Sequence, residues 1–450
     1  MIPVLTPQEM AAVDAAATES VDVLIGRAAS AVAATAVDLL GGTYGRRVVV
    51  VAGPGNNGND GRAAAAILGR RGVRVTVHDV ADAPAVLGRA DLVVDAAFGT
   101  GFRGHYDFPD PDGTPVLAVD IPSGVSGLTG RAMGRPVTAV ATVSFAALKP
   151  GLLLADGPSY AGEVVVADIG LDVSAAPAHL VEDADVAGWL PERTPEDNKW
   201  RHAVWVVAGS PGMTGAARLC AAAAFRAGAG YVRLTVPGDD DPGGPVEAVV
   251  VPQPWDAWAG PVLDGAERFQ ALAVGPGLGR SDATATEVRT LLAGADRPVV
   301  VDSDALWVLG TDAAAVVRER TSPTVLTPHD GEFERITGAP PGEDRLGAVR
   351  DLARAADCVV LLKGSTTVVA DADGNTLLVR AGDQRLATAG TGDVLTGVVA
   401  ALIASGAEPL RAAAAGAHLH GRAALLGPAR GLVASDVASL LPAAWDELIG

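Results

Sequence analysis

A chain of 450 residues is longer than one hydrophobic core usually supports, so we expect two domains of roughly 200 residues each. The formal net charge of −19 disfavours nucleic-acid binding, which depends on many Lys and Arg side chains that neutralise phosphates. No uninterrupted apolar run reaches the roughly 18 to 20 residues that cross a bilayer, so we expect no membrane span.

The N-terminus and the cysteine content both bear on location. The segment MIPVLTPQEMAAVDAAATES contains three acidic residues and no basic one, which is the opposite of a secretory or organellar targeting sequence. The only cysteines, Cys220 and Cys358, are too few for a disulfide framework. Both observations predict a cytoplasmic protein in a reducing compartment.

The first half alternates short β-branched runs with Ala-rich helical stretches, as is typical of βα units. The predicted strands lie at residues 46–53, 73–79, 90–99, 114–124, 141–147 and 163–170. Strands that are apolar on both faces form a parallel sheet covered by helices, so we predict an α/β fold. Ligands bind such sheets beyond the carboxyl ends of the strands, where we expect the motifs GPGNNGND, FGTGF and DIPSG.

Polar side chains cluster in these motifs. GPGNNGND follows a strand and opens a helix, so its backbone N–H groups can bind an anion, although a turn with a helix cap is the simpler interpretation. Asp95 and Asp120 each end a strand, and each either caps the next helix or reaches a shared site. Together with Asn57 and Ser123 they would supply the oxygen ligands that a hard cation prefers. Lys149 follows another strand, where it binds phosphate, orients a carboxylate or lies at the surface.

Four motifs in order, GPGNNGNDG, VDAAFGTGF, VDIPSG and VSFAALKPG, closely resemble the YjeF N-terminal domain family, the NAD(P)H-hydrate epimerases, over about residues 1 to 170. The resemblance implies a three-layer Rossmann-like fold with K⁺ near Asn57, Asp95 and Ser123. It also implies that Asp120 is the catalytic acid or base, facing the reacting ring. The implied binding residues for the hydrated nicotinamide are Asn56, Asn57, Gly58, Asn59, Asp60, Gly99, Thr100, Gly101, Phe102, Arg103, Gly104, His105, Asp120 and Lys149. The family usually has Gly where this chain has Asn59.

The second half repeats the α/β pattern after a polar segment at residues 171–201, which we interpret as a connector with one short helix. We place the boundary near residue 195, so that the domains span residues 1–195 and 196–450. Predicted strands follow at residues 203–210, 231–237, 272–279, 298–306, 324–333 and 358–379. The last is predicted to be a hairpin that turns at Asp373 and Gly374, and a long helical segment follows from Gly392.

The segment TAGTGDVLTG places two glycines directly before Asp393 at a helix start, where N–H groups point at an anion. A carboxylate that acts as a base beside an anion site is what phosphoryl transfer requires, although a simple helix cap is the alternative. Lys363 ends an apolar strand, where it can bind a nucleotide phosphate or stack beside an adenine. His329 either contacts a substrate or is structural, and Glu332 is a candidate for holding a magnesium-bound water.

From about residue 198 onwards, six motifs resemble the ribokinase-like YjeF C-terminal family, the ADP-dependent NAD(P)H-hydrate dehydratases. They are AGSPGMTGAA, VGPGLGRSD, VVVDSDAL, LTPHDGEF, LLKGSTTVV and TAGTGDVLTG. The resemblance implies that the hydrated coenzyme contacts Ala216, Gly277, Gly279, His329 and Asp393. It implies that the adenine nucleotide contacts Lys363, Gly364, Ser365, Thr366, Thr367, Gly390 and Gly392. The lead-in, the segment AGDQRLATAGTGD that ends at Asp393, lacks the Gly-rich sequence that is common in the family before this motif. The difference could alter how the site closes on the nucleotide.

Together the two resemblances imply a bifunctional repair enzyme for nicotinamide coenzymes. The first domain would interconvert the R and S forms of hydrated NADH and NADPH, and the second would dehydrate the S form with ADP and Mg²⁺, giving AMP and phosphate. We therefore expect small-molecule partners, no nucleic acid, no membrane, and a homo-oligomer. Two alternatives stay open: a small-molecule kinase of ribokinase type, and a non-enzymatic first domain that binds RNA or a protein.

Overall fold

The computed structural model describes residues 1–189, 192 and 194–449, and the chain divides into two compact units. One unit comprises Ile2–His179, and the other comprises Leu180–Gly450 together with Met1. Residues 190, 191 and 193 of the predicted connector lie outside the described residues.

The first unit is built on a parallel sheet. Its strands are β1 (Ile2–Val4), β2 (Arg47–Ala52), β3 (Arg74–Asp79), β4 (Leu92–Ala96), β5 (Tyr106–Asp107), β6 (Val116–Val119), β7 (Gly134–Arg135), β8 (Ala141–Phe145) and β9 (Glu163–Ala167), and β10 (Ala178–Leu180) lies at the division between the units. Six of them form the central sheet in the order β3-β2-β4-β6-β8-β9, with every neighbouring pair parallel. The parallel α/β fold predicted for the first half is therefore confirmed.

The helices of this unit are α1 (Pro7–Ala16), α2 (Val21–Leu40), α3 (Asn56–Arg70), α4 (Pro150–Leu153) and α5 (Gly157–Ala161). Helix α2 is long and apolar enough to cross a membrane by length and composition alone. In the structure its small buried residues, among them Ala29, Val32 and Ala33, join the same core as Val50 and Val94 of the sheet. Helix α2 also packs against α3, so its apolar face is used inside the domain.

Two glycines bring the start of α3 close to the sheet. A Cβ added to Gly53 would lie 1.8 Å from the carbonyl oxygen of Ala97, and one added to Gly58 would lie 1.9 Å from the carbonyl oxygen of Gly53. No side chain fits at either position, because both contacts are with backbone. The motif GPGNNGND thus holds the first turn of α3 directly above the ends of β2 and β4.

The second unit contains the remaining elements. Its helices are α6 (Asp183–Trp189), α7 (Thr214–Arg226), α8 (Ala259–Gly265), α9 (Asp282–Gly294), α10 (Asp304–Leu309), α11 (Ala313–Arg318), α12 (Asp330–Thr337), α13 (Arg345–Ala356), α14 (Thr391–Ala404), α15 (Pro409–Leu426) and α16 (Ala434–Ile449). Its strands are β11 (Ala203–Val207), β12 (Tyr231–Thr235), β13 (Val249–Val250), β14 (Ala271–Val274), β15 (Val299–Val301), β16 (Thr324–Leu326), β17 (Val359–Leu362), β18 (Thr367–Ala370) and β19 (Thr376–Val379). Short 3₁₀ turns lie at Lys199–His202, Ala266–Arg268, Gly310–Asp312 and Gln384–Leu386.

These strands pair in the order β19-β18-β17-β16-β15-β14-β11-β12-β13. Every pair from β13 to β17 is parallel, while β17, β18 and β19 are antiparallel to one another. The predicted hairpin is confirmed, with Ala370 opposite Thr376 and Gly374 at a left-handed φ of 92° in the turn. A glycine is favoured there because left-handed backbone strains residues with a side chain.

The division between the units lies before the predicted boundary near residue 195. The reason is helix α6, which belongs to the second unit and packs against α15 and α16. Val186 is fully buried in that unit's core, and the carboxylate of Asp183 lies 2.6 Å from Nε2 of His418 in α15. The segment was predicted to be a connector because most of its residues are polar. Only one face of α6 is buried, and that face is too short to stand out in the composition.

Helix α14 is the central helix of the second unit, and nearly all of it is buried. It packs most extensively against α7. A Cβ added to Gly397 of α14 would lie 2.1 Å from the carbonyl oxygen of Cys220 in α7, so the two backbones touch. This contact fixes the start of α14, which carries Asp393, relative to the start of α7, which carries Ala216.

We expect Gly397→Ala to destabilise the second unit by about 1–2 kcal/mol. Alanine favours a helix over glycine by about 1 kcal/mol, but overpacking costs about 1–3 kcal/mol, and a contact of 2.1 Å with rigid backbone puts this site in the upper part of that range, at about 2–3 kcal/mol. All seven tryptophans lie in the second unit, so urea unfolding followed by tryptophan fluorescence reports on that unit. Gly188→Ala in α6 is the matched control, because nothing lies within 4 Å of its added Cβ and stability should be unchanged or slightly higher. Equal stability of Gly397→Ala and the parent protein would contradict the packing argument.

Two candidate active sites

The first site lies beyond the carboxyl ends of β2, β4, β6 and β8. Asp120, directly after β6, adopts a left-handed φ of 66°. Its carboxylate lies 2.5 Å from Nζ of Lys149, whose side chain is 1% exposed, whereas that of Asp120 is 15% exposed. The ammonium also donates to Oγ of Ser144 and to the carbonyl oxygens of Phe145 and Ala147, at 2.9 to 3.1 Å. Lys149 is therefore a buried residue that holds Asp120 in place, not a surface lysine.

Asp95 and Ser123 form a second part of this site. Oγ of Ser123 donates to Asp95 at 2.5 Å, and the backbone N–H of Ser123 donates to the other carboxylate oxygen at 2.7 Å. Burial raises the pKa of Asp95 to about 6, although these hydrogen bonds oppose the rise. The side-chain amide of Asn57 is buried and has no hydrogen-bond partner within residues 1–189, 192 and 194–449. The three residues together present several oxygen atoms, and that of the Asn57 amide is unsatisfied. Such oxygen ligands suit a hard cation.

Asp60 adds an acid to the first site. It is buried on α3, and burial, followed by the charges of Asp120 and Asp14, raises its pKa to about 8. Asp14 was not predicted to be a site residue, but α1 brings it near this cluster, and burial is the main cause that raises its pKa. No motif surrounds Asp14, and only the packing of α1 could have revealed it. The first site thus combines one ion-paired carboxylate with a neighbouring carboxyl group that is protonated at neutral pH.

The turn that follows β4 carries the other predicted binding residues. Gly99 lies against Asn57, and Phe102 stacks on Phe98 with 4.3 Å between ring centroids. Several predicted residues are not drawn into the cluster. Four of them are exposed: Asn56, Asn59, Gly101 and Gly104. Arg103 donates to carbonyl groups of its own turn, including that of Thr100. His105 pairs with Asp107 at 3.0 Å.

The second site lies where α14 begins. Gly390 precedes the helix at a left-handed φ of 91°, and the first turn of α14 contains Asp393. Burial, followed by the negative charge of Asp302, raises the pKa of Asp393 to about 7. A carboxyl group with this pKa is poised to accept a proton at neutral pH.

An ion-pair network supports this helix start. Nζ of Lys363 lies 2.8 Å from Asp302 and 3.5 Å from Glu332, and Thr396 of α14 donates to the second oxygen of Asp302 at 2.7 Å. Burial lowers the pKa of Lys363, whereas the two carboxylates raise it, and the net shift is upward. Asp302, which directly follows β15 in the motif VVVDSDAL, was not predicted to be a site residue. The signal was present, because Asp95 and Asp120 end their strands in the same way.

His329 caps α12. Its Nδ1 accepts hydrogen bonds from the backbone N–H groups of Gly331 and Glu332, at 3.0 and 3.2 Å. The backbone N–H of His329 donates in turn to the carboxylate of Glu332. An imidazole that accepts at Nδ1 carries its proton on Nε2, and its side chain is 60% exposed. The ring therefore has a structural role as a helix cap, and a substrate contact of His329 stays a prediction.

The predicted coenzyme residues are partly brought together. A Cβ added to Gly277 would lie 3.1 Å from Cβ of Ala216, and Gly279 donates its N–H to Asp304 at 2.9 Å. Both glycines have left-handed backbone, which lets the turn after β14 approach the start of α7.

A cavity of about 560 Å³ adjoins Lys363 and the start of α14. Predicted nucleotide residues that line it are Lys363, Gly364, Ser365, Thr367 and Gly392. Thr366 is buried and does not line it. The atypical lead-in contributes Asp383, Gln384 and Leu386 to the wall, so this departure from the family pattern lies at the cavity itself.

Comparison with known proteins supports both halves. The family described as NAD(P)H-hydrate dehydratase matches residues 204–443, and the YjeF-related protein N-terminus matches residues 21–85 and 78–151. The bifunctional NAD(P)H-hydrate repair enzyme of Mycobacterium tuberculosis is 41% identical over 401 residues, covering 83% of this chain and 82% of that protein. The enzyme of the same name from Salinibacter ruber is 34% identical, covering 100% and 97%.

Among solved structures, the ADP/ATP-dependent NAD(P)H-hydrate dehydratase of Bacillus subtilis, co-crystallised with ATP/Mg²⁺, has a TM-score of 0.52 and 31% identity. The alignment covers 59% of this chain and 97% of that one. A ribokinase-like superfamily protein of Enterococcus faecalis, 20% identical, has a TM-score of 0.54 over 60% of this chain and 96% of that one, which shows the shared fold. Motifs, fold and relatives agree over both halves, and the chain belongs to the family of bifunctional NAD(P)H-hydrate repair enzymes.

Proposed function

We propose that this chain repairs hydrated NADH and NADPH in two steps, at two separate sites. Residues 1–195 would interconvert the R and S epimers, and residues 196–450 would dehydrate the S form at the expense of ADP, giving AMP and phosphate. The observation that carries this proposal is Asp393, a carboxyl group with a pKa raised to about 7 at a helix start beside Lys363 and a cavity of about 560 Å³.

In the dehydratase reaction Asp393 accepts the proton of the ring hydroxyl, whose oxygen forms a bond to the terminal phosphorus of ADP. The bond from that phosphorus to AMP breaks, and the N–H groups at the start of α14 stabilise the charge on the phosphoryl oxygens. The resulting phosphate ester is labile, because the lone pair of the ring nitrogen expels phosphate. Loss of a proton from the neighbouring carbon then restores the reduced nicotinamide.

Mg²⁺ bound with the nucleotide would shield phosphate charge, with Glu332 holding one of its waters. The described part of the chain has no group of three or more His, Cys, Asp or Glu residues arranged to hold a metal alone. Asp302 and Glu332 are both engaged by Lys363. This favours a cation that arrives with the nucleotide.

In the epimerase site Asp120 is the acid or base, and Lys149 fixes its position. Asp60, protonated at neutral pH, is the nearby group that can return a proton. Asn57, Asp95 and Ser123 would hold K⁺, because the partnerless amide oxygen of Asn57 needs a cation or a donor. The ion would supply fixed positive charge that orders Asn57 and the Gly99 turn.

We also propose a cytoplasmic homo-oligomer. Cys220 and Cys358 are both free and buried, as expected for a protein that folds in a reducing compartment. The exposed side chains of Trp255 and Val246 offer apolar surface in the second unit that a subunit contact would cover.

The two activities should be separable by mutation. Asp393→Asn keeps the size of the side chain but removes the base, so ADP-dependent recovery of reduced nicotinamide should fall by roughly 10² or more while epimerisation continues. Asp120→Asn should do the reverse, so that the competent epimer is consumed at the normal rate and the other accumulates. The measurement gives each variant both epimers and follows them separately by chromatography. If a folded Asp393→Asn protein also stopped epimerising, or Asp120→Asn slowed dehydration of the pure competent epimer, the assignment to two sites would be wrong.

Dehydration should depend on pH through Asp393. With its pKa raised to about 7, the carboxyl group is protonated and inactive as a base at lower pH, so kcat/KM should rise as pH increases through about 7. Asp304→Asn removes one of the negative charges that raise this pKa, and should move the inflection to lower pH. An inflection near about 4, the ordinary value for an aspartate, would rule out this environment for the base.

Epimerisation should require K⁺. Replacing K⁺ by a bulky organic cation should slow interconversion of the epimers, because the oxygen cluster of Asn57, Asp95 and Ser123 cannot enclose the larger ion. Dehydration of the pure competent epimer with ADP and Mg²⁺, measured in the same buffers, is the control and should not respond. Equal interconversion rates in both buffers would refute the cation site.

A further inference from the structure

His420 lies in the nucleotide cavity but plays no part in the chemistry described above. It is on α15, 6% exposed, and lines the cavity together with Lys363 and Gly364. Its position is fixed by the next residue, because a Cβ added to Gly421 would lie 2.2 Å from the carbonyl oxygen of Ala381. Helix α15 thus abuts the turn after β19 and directs His420 towards the cavity.

The two ring nitrogens of His420 differ. One is hydrogen-bonded to the backbone of Thr391 at the start of α14, while Nε2 is buried and has no partner within residues 1–189, 192 and 194–449. Burial lowers the pKa of His420 to about 4, so the ring is neutral at physiological pH. A backbone hydrogen bond that raises the pKa of the ring is one that a carbonyl oxygen accepts, and Nε2 has no partner, so we infer that the proton lies on Nδ1 and that Nε2 is a bare acceptor.

A buried acceptor without a partner is costly, and folded proteins nearly always satisfy such atoms. The atom that satisfies Nε2 must be a donor, which excludes phosphate oxygens. The cavity wall around His420 includes the apolar side chains of Val379, Leu395 and Ala417, which suit a nucleoside. The ammonium of Lys363 and the N–H groups of α14 suit the phosphates instead.

We propose that Nε2 of His420 accepts a hydrogen bond from the nucleoside part of ADP, donated by the amino group of adenine or by a ribose hydroxyl. This inference rests on the proposed dehydratase function and adds a residue that selects the nucleotide. His420 touches the nucleoside and not the reacting phosphoryl group, so it acts on nucleotide binding rather than on the chemical step.

The test compares binding of ADP, IDP and 2′- and 3′-deoxy-ADP by titration calorimetry, in the absence of hydrated coenzyme. IDP lacks the amino group, and each deoxy nucleotide lacks one ribose hydroxyl. The parent protein should bind the analogue that lacks the donor roughly tenfold to a hundredfold more weakly than ADP, the usual range for leaving a buried acceptor unpaired. Which analogue binds weakly identifies whether the base or the sugar is the donor.

His420→Leu removes the acceptor while keeping apolar bulk, so it should weaken ADP binding and reduce the difference between ADP and that analogue to within about twofold. His420→Gln keeps an acceptor oxygen and should restore part of the difference. His418→Leu is the matched control, because His418 lies on the same helix, is similarly buried and pairs with Asp183 instead of lining the cavity. It should leave the discrimination unchanged.

Equal binding of ADP and all three analogues by the parent protein would overturn this inference and leave the proposed function standing, provided that reduced nicotinamide is still recovered with ADP. A His420→Leu protein that retains the full discrimination would also overturn it. Failure of the parent protein to bind any adenine nucleotide would overturn both the inference and the proposed function.

Discussion

A lysine ammonium can be buried only where carboxylates and carbonyl groups replace its water, because withdrawing an ion from water costs several kcal/mol. Both units meet this constraint with an aspartate at the end of a parallel strand. Lys149 uses Asp120 and three further oxygens, and Lys363 uses Asp302 and Glu332. Lys suits these positions because its charge is compact, whereas the planar guanidinium of Arg needs a wider fork of acceptors. The sheet edges are thereby tied to the loops that carry each site.

The same arrangement accounts for the raised pKa values of the remaining carboxyl groups. Each lysine can balance only part of the negative charge around it, and the carboxyl groups that remain lie away from water among like charges. Their pKa values therefore rise, to about 8 for Asp60 and about 7 for Asp393. A strongly acidic chain thus obtains groups that exchange protons near neutral pH without using histidine.

The sequence was informative wherever function depends on contiguous residues. The β-branched runs located all six strands of the first sheet, and the glycine motifs located both helix starts, because these features are local. Contacts between distant residues were missed. Asp14 joins the first site only through the packing of α1, and His420 reaches the nucleotide cavity only because α15 abuts the turn after β19. The compact units divide before the predicted boundary for the same reason, since the buried face of α6 packs into the second unit despite the polar composition of its segment.

The ion pairs of Lys149 and Lys363 also affect how this chain reacts with the acylating compounds of metabolism. Thioesters and acyl phosphates modify accessible, uncharged amines, and the sequence contains only three lysines. Two of them are held by carboxylates in the sites, and Lys199 is exposed. Acylation would therefore fall on Lys199, away from both ion pairs. An enzyme that repairs chemically damaged coenzymes would in this way be protected from a common form of chemical damage to proteins.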